Sequence, residues 1–455
     1  MRIIIVGGGK LGNSLAQRLV EEGHDITVVD SSDAVVQRGM DTLDALFIKG
    51  SGVSADILTE ADVQHADIVI AATAGDEVNM LACLTAKRLG AQYAIARIRD
   101  PEYLSSLPFL QKELDIDYVI NPERSTAREI SRMLRFPFAG NIETFARGRV
   151  EMVAFRAAEG DLVVGVPLAE LYKKNHALPH VLFGVVERGS EAVIPRGDFV
   201  IQPGDRVHVV GDVKTITAFF EALGRGMADI RSVMIMGGSR IAYYLASMLT
   251  AMKIKVSIIE MKPQKARFLS EELPDVTIIE GDGTDQELLE SEGLADTHAF
   301  VTLSDRDEEN LMAGFYATQR GVKKVIVKSG RDNYSAIMHG MGLDSIISTK
   351  AVACNTILRT VRTRANRSFA SVERMYRLMD GAVEALEFVA QVGDPYIHVP
   401  LVNLNIARDC LIAVIVREGQ VHIPHGNDTI ETGDNVIIIS RRAGIRGLGE
   451  VIKRK

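Results

Sequence analysis

The sequence predicts an α/β chain in which two doubly wound parallel-sheet domains are each followed by a small α+β domain, the whole arranged as a tandem duplication. Three patterns carry that expectation. A β-branched run breaks on a glycine cluster at the start; short apolar runs then alternate with helical stretches; and both patterns return about 230 residues later.

Ile3 to Val6 is β-branched and too short for a helix, so it reads as a strand. Gly7-x-Gly9-x-x-Gly12 follows at once, and Ser14 to Val20 reads as a helix. Strand, glycine turn and helix give each glycine a task. Gly7 permits the tight turn, Gly9 lets backbone approach a pyrophosphate, and Gly12 packs helix on strand. Phosphates would rest on the free N–H groups at the helix start. A second strand, Ile26 to Asp30, ends on an acid about twenty residues further on, where ribose hydroxyls would be held. Ser31 and Ser32, with no Arg or Lys, follow Asp30, which favours NAD or another unphosphorylated ribose over NADP. This is the Rossmann-like pattern.

The rhythm continues through strands at Ala45–Lys49, Asp67–Thr73, Tyr93–Arg97 and Asp117–Ile120, with helices at Ser54–Ala61 and Glu77–Leu89. Right-handed crossovers between parallel strands put the ligand crevice at their carboxyl ends. Pro122 opens a long helix, Glu123 to Leu134, that stops before Pro137. From about Gly140 the pattern changes to a small α+β unit. Val150–Arg156 alternates, Gly165–Leu171 reads as strand then short helix, and Leu182–Arg188 is a strand turned by Gly189-Ser190 into Ala192–Pro195. Pro203-Gly204-Asp205 is a turn ahead of Arg206–Gly211. Val213 to Leu223 joins this unit to the next; it and the Pro137 region are the expected hinges.

The opening then recurs. Gly237 stands 230 residues after Gly7 (237 − 7), and Glu260 stands 230 after Asp30 (260 − 30). Asn310 answers Asn79, Lys328 answers Arg97, and Thr432-Gly433-Asp434 answers Pro203-Gly204-Asp205. The expected domains are 1–139, 140–225, 231–368 and 369–455, each parallel-sheet domain followed by its small one.

Composition bounds the function. A chain of 455 residues allows about three ordinary domains, and 47% hydrophobic with 25% charged residues is an ordinary globular balance. A net charge of −8 argues against nucleic acid as the main partner. Cys83, Cys354 and Cys410 form no CxxC pair and no disulfide framework, which favours the reducing cytosol. No leader pattern precedes the first strand, and no run of about 18 apolar residues suggests a membrane span. Helix capping accounts for the acids Asp76, Glu77, Asp305 and Asp307 to Glu309, contact with a ligand or a neighbouring subunit being the sharper reading. His422 and His425 are separated by Pro424 and read as a solvated turn rather than a metal site; no metal ligand and no catalytic residue is assigned. Cys83 and Cys410 read as core thiols. Arg359, Arg362, Arg364 and Arg367 make a basic face on the second long helix, solvated or docked to a membrane partner.

The two glycine fingerprints, each with an acid at the second strand and an IPRG/GD-type unit behind it, make the chain resemble the regulatory subunits of the bacterial Trk potassium uptake system. Each half resembles an RCK unit, and the resemblance runs from Met1 to the strand at Val436–Ile439. It implies a peripheral protein at the cytoplasmic face of the inner membrane that binds NAD(H), and ATP or ADP. Its implied partners are a potassium-translocating membrane subunit of the TrkH/TrkG type and further copies of itself, as a dimer or a tetrameric ring, with no nucleic acid. By the same resemblance Gly7, Gly8, Gly9, Lys10 and Leu11 would hold the pyrophosphate and Asp30 the adenosine ribose. Ser51 would lie near the adenine, Thr73 and Ala74 would flank the crevice, and Arg97 would pair with a phosphate. The second site is expected at Gly237, Gly238, Ser239, Arg240, Ile241, Glu260, Asp282, Leu303 and Lys328. There Ser239 replaces the middle glycine, Ala242 the last, and Lys328 the arginine, so altered affinity or identity of the nucleotide is expected. An NAD-dependent oxidoreductase is the alternative, but neither small domain shows a proton donor with a substrate-holding cation. A redox-sensing repressor would need a helix-turn-helix, which the sequence does not show.

Overall fold

The computed structural model describes residues 1–103, 106–135, 141–189, 191–224, 230–330, 345–367, 372–378, 383–407, 409–442, 445 and 448–454. Pro137, Ser190 and the expected domain bounds at 139/140, 225 and 368/369 lie outside them. The chain folds as two compact units, and each takes one part from each half: Met1–Leu134 with Ile230–Leu358, and Arg135–Asp229 with Arg359–Lys455.

In the first unit, β1 (Arg2–Val6), α1 (Lys10–Glu21), β2 (Asp25–Asp30), α2 (Asp33–Thr42), β3 (Leu46–Lys49) and α3 (Ala55–Glu60) are followed by β4 (Ile68–Ala71) and α4 (Asp76–Arg88). Then come β5 (Ala94–Arg97), α5 (Leu107–Glu113), β6 (Tyr118–Ile120) and α6 (Pro122–Arg135). The sheet runs β3-β2-β1-β4-β5-β6, all parallel, and its order reverses between β1 and β4. That reversal opens a crevice above the strand ends. Helix α1 begins at Lys10, four residues before the expected start, because Gly12 belongs to its first turn. Helix α2 has only Val36 and Gly39 buried, and so thin an apolar stripe carries no legible period.

The small unit of the first half contains β7 (Asn141–Phe145), β8 (Val150–Arg156), α7 (Leu168–Lys174), β9 (Leu182–Arg188), β10 (Glu191–Val193), β11 (Arg206–Asp212) and α8 (Val213–Ala222). Its antiparallel sheet runs β10-β9-β11-β8-β7. The expected hinge at Val213–Leu223 is corrected here. Asp212 caps α8 by accepting the N–H groups of Lys214 and Thr215, and Ile216, Phe219 and Phe220 are buried in the core with Phe155 and Phe183. A capped helix with three anchored side chains resists bending.

The second half repeats this order with β12 (Ser232–Met236), α9 (Arg240–Ala251), β13 (Lys255–Glu260), α10 (Pro263–Glu272), β14 (Thr277–Glu280), α11 (Gln286–Ser291), β15 (Ala299–Thr302) and α12 (Asp307–Gln319). Next are β16 (Lys324–Lys328), β17 (Ile346–Ile347) and a helix over Thr349–Arg367, here α13. The sheet order β14-β13-β12-β15-β16-β17 copies the first, and Ser232 pairs with Lys255 as Arg2 pairs with Asp25. The last part holds β18 (Val372–Leu378), β19 (Val383–Val389), β20 (Leu404–Ile406), β21 (Cys410–Arg417), β22 (Gln420–His422), β23 (Asn435–Ser440) and β24 (Ile452–Arg454). Where the first half forms α7, the second makes a short turn and then β20, because in Val402-Asn403-Leu404-Asn405-Ile406 β-branched residues and asparagines outweigh the one good helix former, Leu404.

Within each unit the halves share a core. Ala127, Ile130 and Leu134 of α6 are buried with Ile241, Leu245 and Leu249 of α9. In the other unit Phe145, Val150, Met152 and Val185 are buried with Ala385, Val414, Ile437 and Ile439. The basic face of α13 is partly committed: Arg359 lies 3.2 Å from Glu143. Cys83, Cys354 and Cys410 are buried thiols, Cys83 with its pKa pushed up to about 12 by burial.

The repeated Gly-Asp signature is a structural device. Arg188 Nε and Nη2 donate to the two carboxylate oxygens of Asp205 at 2.9 and 2.7 Å, and Arg417 holds Asp434 in the same way at 3.0 and 2.8 Å. Gly204 and Gly433 turn the chain at φ +90° and +88° to set these acids in place. The Arg188 fork holds the buried Asp205 carboxyl below the ordinary carboxylate range. Its stabilisation is therefore present above that range and is lost as pH falls through the depressed value. Arg188→Met is expected to cost about 2–3 kcal/mol at neutral pH. Denaturant unfolding should show that difference shrinking as the medium is acidified.

Candidate functional site

A cleft of about 700 Å³ opens at the reversal point of the first sheet. Gly7, Gly9, Lys10, Leu11, Asp30, Ser51, Thr73, Ala74 and Arg97 line it, together with Pro122. Gly8 and Gly12 serve the fold beside it. Gly8 N–H donates to Asp30 Oδ2 at 2.7 Å, and a Cβ on Gly12 would stand 1.8 Å from the Gly7 carbonyl oxygen. Gly7 has φ +101°, and its missing Cβ would meet Thr73 N at 2.9 Å. Only glycine permits that approach of β1 to the end of β4. Asp30 Oδ1 also accepts Ser32 N–H at 2.8 Å, so the acid is oriented from both sides yet stays half-exposed on the cleft.

The floor beyond Thr73 is held by Asn79, which is fully buried. Its Oδ1 accepts Thr73 N–H at 2.8 Å and Thr73 Oγ1–H at 2.7 Å; its Nδ2 donates to Thr73 O at 3.2 Å and Arg97 O at 2.8 Å. One amide thus ties the ends of β4 and β5. Asp76, read from sequence as a cap, instead reaches across to accept the N–H groups of Arg99 and Asp100 at 2.8 and 2.9 Å.

At this end of the cleft, charges are gathered but loosely paired. Arg97 Nη2 lies 4.0 Å from Glu123 Oε1, Arg99 Nη1 3.9 Å from the same atom, and Arg99 Nε 3.6 Å from Asp76 Oδ1. Asp76 Oδ1, Arg97 Nε, Arg99 Nε and Glu123 Oε2 are all buried without a hydrogen-bond partner. Burial first, and the neighbouring Arg99 next, pull the Arg97 pKa below the guanidinium range against the opposing pull of Glu123 and Asp76. A half-desolvated guanidinium with an idle N–H suits an incoming anion. Arg99, Asn79 and Glu123 were missed as site residues, and Asp76 was assigned to capping ahead of contact with a ligand. The sequence signals were the acids at the start of the helix after β4 and the match of Asn79 with Asn310; ion pairs formed across the strand ends leave no periodic trace.

The second set is built differently. Gly237 repeats the close approach, its missing Cβ 2.9 Å from Ser304 N. However, Ser239 N–H donates to Gly237 O at 2.9 Å, and Ser239 Oγ accepts Ala242 N–H at 3.4 Å, so the loop spends donors on itself. Glu260 is buried, takes Gly238 N–H at 2.8 Å and Lys262 N–H at 2.9 Å, and lies 3.4 Å from Lys265 Nζ. Arg240 is paired with Asp100 of the first half at 2.7 Å. Asp282 closes on Thr284, whose hydrogen bonds lower its pKa. Lys328 lies 3.4 Å from Asp305, and Ile241 and Leu303 are buried in the core, so Leu303 offers a ligand no side chain. Gly238, Ser239 and Arg240 line a separate cavity of about 490 Å³ with Asp100, Lys265 and Phe268; it does not include Glu260, Asp282, Leu303 or Lys328.

Asn79→Leu keeps the branched outline but strands the Thr73 and Arg97 groups. It should cost about 2–4 kcal/mol in denaturant unfolding and weaken any ligand that rests on Thr73.

The sequence matches the TrkA-N domain over residues 3–122 and 233–349, and the TrkA-C domain over 152–224 and 385–453. It is 33% identical to the Trk system potassium uptake protein TrkA of Vibrio alginolyticus, covering 96% of this chain and 95% of that one. It is 30% identical to the TrkA homolog of Archaeoglobus fulgidus over the full length of both. Among solved structures it is similar to the GsuK channel bound to NAD, with a TM-score of 0.64 and 16% identity over 96% of this chain and 76% of that chain. The GsuK RCK domain gives a TM-score of 0.62 at 16% identity, over 96% of this chain and 92% of that one. The GsuK bound to ADP gives 0.51 at 14% identity, over 80% and 69%. At these identities the structures speak for the fold, a tandem of Rossmann-like and C-terminal RCK domains. The sequence relatives speak for descent: the chain belongs to the family of Trk system potassium uptake protein TrkA.

Proposed function

We propose that this chain is the nucleotide-sensing regulatory subunit of a Trk-type potassium uptake system. NAD(H), or ATP or ADP, occupies the first cleft, and its binding controls potassium flux through a separate membrane subunit of the TrkH/TrkG type. On this reading the chain acts as a homo-oligomer at the cytoplasmic face of the inner membrane; its full-length match to Trk system potassium uptake proteins supports the transport role, and among the described residues no helix is long and apolar enough to cross a membrane. The observation that carries the nucleotide part is the first cleft itself. It offers a glycine loop with free helix-start donors, an oriented Asp30 for a ribose, and an under-paired Arg97 for a phosphate.

The second glycine loop, with its donors internally spent and its acid buried, is proposed as the weaker or silent copy. The chain's full-length match to Trk system potassium uptake proteins supports a sensor rather than a hydride-transfer enzyme. A nucleotide acts here through its difference in affinity for two conformations.

The test is potassium flux in vesicles carrying a Trk membrane subunit, with this chain and each nucleotide added and NADH absorbance followed in parallel. Nucleotide-dependent flux that Asp30→Ala abolishes, with NADH unconsumed, is the expected result. Flux indifferent to chain and nucleotide, or steady NADH oxidation with a small-molecule substrate, would refute the reading.

A further inference from the structure

A smaller pocket lies in the first Rossmann-like domain, where α5, β6 and the opening turns of α6 meet. Its volume is about 130 Å³, and it shares no lining residue with the nucleotide cleft. Tyr118, Asn121, Arg124, Ser125 and Arg128 form its polar side, and apolar side chains such as Leu107 close the other. We propose that this pocket is a binding site for a phosphoryl dianion, either inorganic phosphate or the phosphate end of a small ester, held between the Arg124 and Arg128 guanidiniums. The inference stands apart from the nucleotide reading above.

Arg124 and Arg128 are one turn apart on α6, so their charges repel. Among the described residues, neither guanidinium forms an ion pair or a hydrogen bond. Both side chains reach water at the mouth. Even so, burial first, and then Arg124 and Arg132, pull the Arg128 pKa below the usual guanidinium range, against Tyr118. The acid on the lining does not answer them, because Asp100 is held by Arg240 at 2.7 Å. Asn121 is committed as well. It accepts Arg124 N–H at 2.8 Å and donates to Arg99 O at 3.1 Å and to Tyr244 Oη at 3.0 Å, which makes it a fixed wall. The Ser125 and Tyr118 hydroxyls have no hydrogen-bond partner among the described residues. Two planar cations with hydroxyls beside them match the oxygens of a tetrahedral oxyanion.

Size narrows the ligand. The volume of about 130 Å³ is several times the ~30 Å³ of a water in the liquid and well under the ~300 Å³ at which pockets for drug-sized ligands begin. A four-oxygen anion fits, and a whole nucleotide does not.

The duplication separates these two arginines from the shared frame. Ile347 lies beside Lys328 in the second sheet as Ile120 lies beside Arg97 in the first, so the two long helices align at an offset of 227 (347 − 120). At that offset Ala351, Val352 and Asn355 replace Arg124, Ser125 and Arg128, and Asn355 accepts from Arg18 of α1 at 2.8 Å. Arg132, by contrast, returns as Arg359, and both are paired, with Glu129 at 3.1 Å and Glu143 at 3.2 Å. The arginine that serves the fold stands in both copies with an acid. The two on the pocket stand in one copy, without any.

The experiment is calorimetric titration of the full chain with inorganic phosphate and, separately, glycerol 3-phosphate. It is run in chloride at constant ionic strength and about pH 8, above the second phosphate pKa of ~6. Wild type is set beside Arg124→Met, Arg128→Met, the double variant and Arg128→Lys, and Lys10→Ala accounts for any phosphate taken by the glycine loop. One saturable equivalent should appear in wild type and persist in Lys10→Ala. It should weaken about tenfold or more in the double variant, with Arg128→Lys between the two. Equal affinity for both ligands supports inorganic phosphate as the occupant, and a clear preference for glycerol 3-phosphate supports the ester. Because the two charges repel, the single variants should melt no lower than wild type without ligand, and they carry the test if the double variant does not fold. Three results would each overturn the proposal: no saturable equivalent of either ligand, an equivalent that survives in the arginine variants, or single variants that melt well below wild type without ligand.

Discussion

The crevice depends on how closely two backbones approach. Gly7 lies so near the Ala72–Thr73 peptide that no side chain fits between them, and Gly237 repeats the contact against Leu303–Ser304. That approach fixes where β1 ends relative to β4, and so where the sheet parts and the first helix begins. The buried amides complete the frame: Asn79 ties Thr73 to Arg97, and Asn310 ties Ser304 to Lys328 at 2.9–3.1 Å. With the frame held this firmly in both halves, their differences lie in the side chains laid over it.

Those differences are small in sequence and large in consequence. The Ser239 hydroxyl takes Ala242 N–H, in a loop whose backbone already bonds Ser239 N–H to Gly237 O. One methylene more at Glu260 than at Asp30 accompanies a buried acid already engaged by Gly238, Lys262 and Lys265. Lysine in place of glutamate at the start of α13 puts a cation into the first cleft from outside its own domain. On the proposed reading, the first copy is the one equipped for a nucleotide.

Much of this was legible in the chain. Alternating strands and helices, the glycine spacing and the acids at the second strands specified both sheets and the first cleft, because each is set by local residues at fixed offsets. Helix α2 escaped notice because so little of it is buried, and the supposed hinge at Val213 proved to be a helix whose two phenylalanines look like linker residues until the core around them is seen. The Asp76, Arg97, Arg99 and Glu123 cluster and the reach of Lys350 into the other half depend on how strand ends and helices meet in space. No spacing along one segment encodes that.

The central claim is that the first crevice is the sensing site and the second its weaker or silent copy. The direct measurement is the number of nucleotides bound per chain at saturation, with Glu260→Ala set beside the wild type. The account predicts one tight equivalent per chain, indifferent to Glu260→Ala. Two equal equivalents, or loss of the tight one in Glu260→Ala, would contradict it.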